Sequence, residues 1–183
     1  MRIVFCGTPE ISVPALEFLW ENEHNLIAVL CSPDAQVGRR AILTAPPVKI
    51  CAQKLKIPVF QPQKIDDHFI QIVKNLHPDL LVCFAYGKIF PQTFLDVFSI
   101  GAINLHPSLL PRWRGPSPIQ ATLMAADHMT GISVQHMVAQ MDAGAIILQK
   151  KIFLKNDETA QSLAHTVAQI AGPSLHQAIH IIK

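Results

Sequence analysis

Charge is scarce in this chain. Asp, Glu, Lys and Arg make up 15% of its 183 residues and hydrophobic residues make up 50%, whereas an average domain is about 25% charged. That balance excludes intrinsic disorder and a coiled coil, and it favours strands covered on both faces. Charge of one sign is also lacking. Fifteen Lys and Arg face thirteen Asp and Glu, for a formal net charge of +2. A strongly basic nucleic-acid module is thereby excluded, while a local basic patch remains compatible. Long hydrophobic runs are missing too, despite a mean hydropathy of +0.29. Residues 159–182 carry no Asp, Glu, Lys or Arg, yet Gln161, Ser162, His165, Thr166, Gln169, Gly172, Pro173, His176, Gln177 and His180 interrupt them. A spanning helix needs about 20 predominantly apolar residues, so no membrane association is expected. The four apolar residues Ile3–Cys6 before Gly7-Thr8-Pro9 are far short of a signal-peptide core. Cys6, Cys31, Cys51 and Cys83 form no CxxC pair, and three sit in apolar runs. They read as buried free thiols in a reducing cytoplasm, and no metal is expected.

What is present is alternation. Ile3–Cys6, Leu26–Cys31, Val59–Phe60, Leu80–Ala85 and Ala102–Leu105 are short, continuous apolar runs, as expected of strands in a parallel sheet. Between them lie helical stretches. Pro14–Trp20 has proline in its first turn. Val48, Cys51, Ala52 and Leu55 form one stripe, and Phe69, Ile72, Val73 and Leu76 form another. Thr130–Val138 and Ala145–Phe153 read as two more strands, and Thr159–Ala171 and Ser174–Ile182 as two closing helices. The order predicts a single α/β domain with a doubly wound sheet of about seven strands. Ser32–Pro47 and Pro107–Pro118 are rich in proline and glycine and read as irregular. A loop of the first one's length is usually functional or disordered.

Ligands of open α/β sheets bind outside the carboxyl ends of the strands. Gly7-Thr8-Pro9-Glu10 follows the first strand and lacks the GxGxxG dinucleotide fingerprint; it is either a ligand-facing turn or a plain entry to a helix. Tyr86-Gly87-Lys88-Ile89-Phe90-Pro91 follows the fourth; it either walls a pocket with aromatics or packs as an ordinary loop. The fifth strand ends in Asn104-Leu105-His106. Alternation puts Asn104 and His106 on one face, where they form either an oxyanion site or a polar cap for the next turn. Asp142, in Met141-Asp142-Ala143-Gly144, is turn chemistry unless it reaches His106. In that case its carboxylate fixes the histidine's tautomer and stabilises its protonated form.

Together these segments resemble a known family. Phe5-Cys6-Gly7-Thr8-Pro9-Glu10, the run Asn104-Leu105-His106-Pro107-Ser108-Leu109-Leu110-Pro111-Arg112-Trp113-Arg114-Gly115, Thr130-Gly131 and Met141-Asp142-Ala143-Gly144 are similar to the formyltetrahydrofolate-dependent formyltransferases. Asp142 falls 36 residues after His106, as the family pattern requires, and the likeness runs nearly the whole chain. Gly-Thr-Pro-Glu, Val37-Gly38-Arg39-Arg40 with Pro46-Pro47-Val48-Lys49, and Arg112–Gln120 resemble the branch that acts on methionyl-tRNA. The resemblance implies a Rossmann-like, mostly parallel sheet and no metal. Its co-substrate is 10-formyltetrahydrofolate, its partner is initiator methionyl-tRNA, and it acts in the cytoplasm; we expect a monomer. It implies a catalytic triad of Asn104, His106 and Asp142. Folate contacts fall on Ser108, Leu109, Leu110 and Pro111, with the pterin pocket near Tyr86, Gly87, Ile89, Phe90 and Val138. The tRNA loop falls on Ala35–Ala45, with Arg39, Arg40, Arg112 and Arg114 as phosphate contacts. It also implies a barrel-like tRNA-binding domain beyond residues 1–183, which this chain does not include. The tRNA loop here is poorer in lysine than is usual in the family, and Pro107 replaces a small residue. The alternatives are a formyltransferase for an amino-sugar nucleotide and a non-catalytic folate- or tRNA-binding fragment. Trp113 either stacks on the terminal adenine or anchors its own loop.

Overall fold

The structure is a computed structural model that describes residues 1–39 and 41–183. In chain order its strands are β1 (Arg2–Cys6), β2 (Asn25–Leu30), β3 (Ala35–Val37), β4 (Ile42–Thr44), β5 (Val59–Phe60), β6 (Leu80–Cys83), β7 (Gly101–His106), β8 (Met129–His136) and β9 (Ile146–Phe153). Its α-helices are α1 (Val13–Glu21), α2 (Pro47–Lys54), α3 (Asp67–Lys74), α4 (Gln92–Leu95), α5 (Pro118–Met124) and α6 (Ala160–Ile182). Seven strands form one sheet in the order β5-β2-β1-β6-β7-β8-β9. The pairs from β5 to β7 are parallel, and β8 pairs antiparallel with both β7 and β9.

The continuous apolar strands serve two cores at once. Ile3, Phe5, Leu80 and Val82 face a core with α1, α2 and α6, while Val4, Cys6, Leu81 and Cys83 face a second core with α3 and α4. Successive side chains of a strand point to opposite faces, so a strand sandwiched by helices must be apolar at every position. The expected α/β sheet is therefore present. All four cysteines are free and buried. Burial pushes the thiols of Cys31 and Cys51 up to about 11 and that of Cys6 well above its ordinary value, as befits packing residues. No helix among the described residues is long and apolar enough to cross a membrane.

Three local expectations change. The two expected closing helices are one helix, α6, which contains Pro173. Proline removes one ladder bond, the one to the Gln169 carbonyl, and beside it Ser174 Oγ donates to the carbonyl of Ile170 at 2.7 Å. The buried face runs unbroken from Leu163 through Val167 and Ala171 to Leu175 and Ile179, so packing overrides the local break. Second, Ser32–Pro47 is not wholly irregular, because β3 and β4 pair as an antiparallel ribbon. Third, β6 ends at Cys83 rather than Ala85, where the chain turns through a left-handed Ala85 (φ 54°).

The chain runs outward from β1 to β2 and β5, then returns to place β6 on the other side of β1. The reversal makes a switch point between β1 and β6, where a crevice opens at the strands' carboxyl ends. Gly7 closes the β1 end of it. A Cβ there would sit 2.8 Å from the carbonyl oxygen of Phe84, so only glycine lets this turn lie against the end of β6.

Candidate active site

A cavity of about 740 Å³ occupies the crevice, within the range of small-molecule sites. Its wall is made of the segments that leave the central strands: Thr8 and Pro9 after β1, Cys83–Phe90 at the end of β6, Asn104–Pro107 at the end of β7, and Gln135–Gly144 at the end of β8. Gly7-Thr8-Pro9 is thus a cavity-facing turn, knitted to its neighbours by Thr8 Oγ1, which bonds the Tyr86 carbonyl at 3.3 Å and the Ser32 hydroxyl at 3.2 Å. Tyr86, Gly87, Ile89, Phe90 and Val138 all line the cavity. Tyr86 stacks on Phe90, and Phe90 on Phe94, with ring centroids 5.2 and 5.1 Å apart.

Asn104, His106 and Asp142 meet in this wall. Asn104 and His106 share a face of β7, as alternation requires. Asp142 reaches them because its turn folds back onto β8. A Cβ on Gly144 would overlap the carbonyl of His136 at 1.8 Å, so glycine there permits the approach. Asp142 itself is left-handed, with φ 50°, a conformation that aspartate tolerates better than most residues. His106 is 4% exposed. Its Nδ1 lies 3.5 Å from Asp142 Oδ2, and its Nε2 lies 2.7 Å from the Trp113 carbonyl oxygen. Both ring nitrogens face acceptors. Among the described residues no side-chain hydrogen bond engages the Asn104 amide, which leaves a donor facing the cavity.

Two supports of Asp142 have no signature in the sequence. The main-chain N–H of Gly115 donates to Oδ2 at 2.9 Å, and Gln135 Nε2 donates to Oδ1 at 3.0 Å. Gln135 is 2% exposed and lies directly opposite Asn104 in the β7–β8 pair. That register is a tertiary fact, and nothing local in the sequence announces it. Gly115 adopts φ 102°, reachable in practice only by glycine. The Gln135 Oε1 and Tyr86 hydroxyl atoms are buried without a hydrogen-bond partner among the described residues, and burial raises the Tyr86 phenol above its ordinary pKa.

The structure does not bring Ser108, Leu109, Leu110 and Pro111 to the cavity wall. Their polar groups are used within the loop. Ser108 Oγ donates to the Arg112 carbonyl at 2.6 Å, Ser133 Oγ donates to the Ser108 carbonyl at 2.7 Å, and the Leu110 N–H donates to Ser133 Oγ at 3.0 Å. Leu109 packs against Gly131. These residues are thus tied to β8 and β9 rather than turned to the cavity. Arg112 makes a bidentate pair with Asp127 at 2.7 and 3.1 Å and lies over the Trp113 ring, while the indole N–H donates to the same carboxylate at 2.7 Å. These bonds hold the Asp127 carboxyl below its usual range, and they give Trp113 the anchoring role. Arg114 and Arg39 are exposed, and Arg40 lies outside the described residues. The ribbon that carries Arg39 stands on a fixed base, where Lys49 Nζ donates to both oxygens of Asp34 at 2.8 Å and Gln61 bonds the same carboxylate at 2.7 Å.

A doubly wound sheet with a cavity at its switch point defines an α/β protein of the open-sheet architectural class, in which that crevice is the usual ligand position. Residues 1–179 match the formyl transferase family model, and the chain belongs to that family. It is 40% identical over 185 residues to a methionyl-tRNA formyltransferase of Prochlorococcus marinus (strain MIT 9515), covering all of this chain and 56% of the relative. It is likewise 40% identical over 184 residues to one of Syntrophus aciditrophicus (strain SB), covering 59% of that protein. The chain thus spans a little over half the length of these relatives. Its fold is similar to that of phosphoribosylglycinamide formyltransferase from Bacillus halodurans, with a TM-score of 0.83 at 18% identity, covering 98% of this chain and 94% of the other. It is also similar to the sugar 3N-formyl transferase WlaRD, with a TM-score of 0.73 at 17% identity, covering 100% and 62%.

Proposed function

We propose that this chain transfers the formyl group of 10-formyltetrahydrofolate to the free amino group of methionyl-tRNA. The observation that carries this reading is the meeting of Asn104, His106 and Asp142 in one cavity wall, with the imidazole held between a carboxylate and a carbonyl. In this reading the neutral amine attacks the formyl carbon. A new C–N bond forms, an oxyanion develops, and the bond from that carbon to N10 of the folate breaks. The amine's surplus proton passes to N10. The substrate amine is the nucleophile, so the protein supplies position and charge. In this reading Asn104, which lines the cavity, is the direct donor to the oxyanion. His106 lies beside the developing charge, and direct donation from Nε2 needs the Trp113 carbonyl to move aside. Asp142, fixed by Gly115 and Gln135, holds the imidazole and carries protons through a water.

The aromatic stack of Tyr86 and Phe90 suits a flat pterin. The unpartnered Gln135 Oε1 suits the donors on such a ring, and the cavity volume accommodates it. Initiator methionyl-tRNA would meet the exposed Arg39 ribbon, whose base is joined through Ser32 to Thr8 of the cavity wall. In this reading the protein acts in the cytoplasm as a monomer. The test is a formyl-transfer assay on this chain with 10-formyltetrahydrofolate, offered either charged initiator tRNA or an amino-sugar nucleotide. Formylation of the tRNA alone supports the proposal. Formylation of the sugar alone, or of neither, overturns it.

A further inference from the structure

At the opposite, amino-terminal end of the sheet, three histidines converge. His24 immediately precedes β2, and His176 and His180 stand one turn apart on α6. Residues at i and i+4 share a helix face, and the packing of α1 on α6 brings His24 onto that face. Gly172 allows this packing, since a Cβ there would lie 2.5 Å from Phe18. The edge of Phe18 meets the His176 ring with centroids 6.0 Å apart. His24 Nε2 lies 2.9 Å from His176 Nδ1, and one ligand nitrogen of each of the three rings falls within 4.8 Å of the others. His24 and His176 are half-buried, and His180 is exposed.

We propose that His24, His176 and His180 form a binding site for a divalent transition-metal ion of the zinc type, separate from the formyl-transfer cavity. Tetrahedral zinc takes imidazole nitrogens at about 2.0–2.1 Å, which sets them roughly 3.3 Å apart. The observed spacings, 2.9 Å between His24 and His176 and none above 4.8 Å, bracket that value. Three imidazoles suit zinc, copper or nickel rather than magnesium or calcium. The ligand form is the neutral ring, and burial lowers the pKa of both His24 and His176, with the neighbouring histidines adding to the effect. The Met1 amino group and Lys183 also act on His24 and disfavour protonated rings there. The exposed side at His180 leaves a fourth position to water. Ala164, where α6 meets the cavity, lies about 18 Å along the helix from His176 at 1.5 Å per residue. The site therefore serves structure: it clamps the α1–β2 connection to α6.

The experiment is calorimetric titration of the metal-free 183-residue chain with Zn²⁺ at pH 7.5, with Co²⁺ as a spectroscopic substitute. The expected result is one equivalent bound at about micromolar Kd or tighter, a tetrahedral Co²⁺ absorption, and a rise in Tm on adding Zn²⁺. His180→Ala changes an exposed side chain, so its fold is retained; it weakens binding by roughly tenfold or more. His24→Gln does the same, whereas His165→Ala, on the same helix but outside the cluster, leaves binding unchanged. Absence of binding at about 1 mM Zn²⁺, or binding that survives His176→Ala combined with His180→Ala, overturns the proposal. Formyl transfer is not the readout, so the outcome is independent of the proposed activity.

Discussion

Two proline-rich segments flank the cavity, and they behave in opposite ways. The segment around 107–117 is locked. His106, Ser133, Gln149 and Arg112 with Trp113 hold it through bonds to Trp113, Ser108, Leu110 and Asp127, and it returns the Gly115 N–H to Asp142. Among the described residues, the segment 32–47 is bonded to the body of the domain at its base, and its ribbon exposes Val37, Ile42 and Leu43 at 57%, 60% and 68%. Proline limits the backbone in both, but the first is bonded to side chains of neighbouring strands, whereas the second finds its partners within its own ribbon and at its base. A rigid loop suits a site that must hold reacting groups to within about 0.5 Å. An open, apolar and basic ribbon suits contact with a large partner.

The contrast can be broken most sharply at the triad. Asn104→Ala and His106→Ala are each expected to lower kcat by about 10²–10³-fold, with folate affinity nearly unchanged. Steady-state kinetics and folate titration on the same variants check this, and near-normal turnover in either removes the mechanism. Next comes the locked loop's own anchor. Ser133 is fully buried and its hydroxyl serves Ser108, Leu110 and Gln149. Ser133→Ala strands those groups and is expected to cost about 1–3 kcal/mol, read as a lower urea midpoint. The open ribbon predicts the reverse pattern. Arg39→Ala leaves Tm unchanged but reduces the salt dependence of tRNA affinity by about one charge. A large loss of stability there would show that the ribbon is tied to the body of the domain beyond its base.

The smallest effect concerns pH. Asp127 is depressed by its bonds to Arg112 and Trp113. A depressed acid contributes stability above its unfolded pKa and loses it as pH falls through the folded one. Asp127→Asn keeps an acceptor for the indole and removes the charge. The Tm gap between this variant and the parent should shrink as pH falls below about 4, as thermal melts at successive pH values would record. A gap that stays constant would mean that the ion pair adds nothing to the loop.

Part of this architecture is written in the chain itself. The unbroken apolar run of Leu80–Cys83 announces a strand with helices on both faces, because no position could tolerate water. The shared face of Asn104 and His106 comes from the two-residue period alone. The spacing of Asp142 is matched only through a family likeness, since no local rule links residues so far apart. Other features belong to the folded molecule. α6 runs through Pro173 because its buried stripe outweighs one missing bond. Ser108–Pro111 stays off the cavity wall because Ser133 and Gln149 of neighbouring strands claim its polar groups. Gln135 reaches Asp142 because antiparallel register sets it across from Asn104, and the three histidines meet because α1 packs on α6. Periodicity reports the face that a residue shows; only the packing of distant segments decides what that face meets.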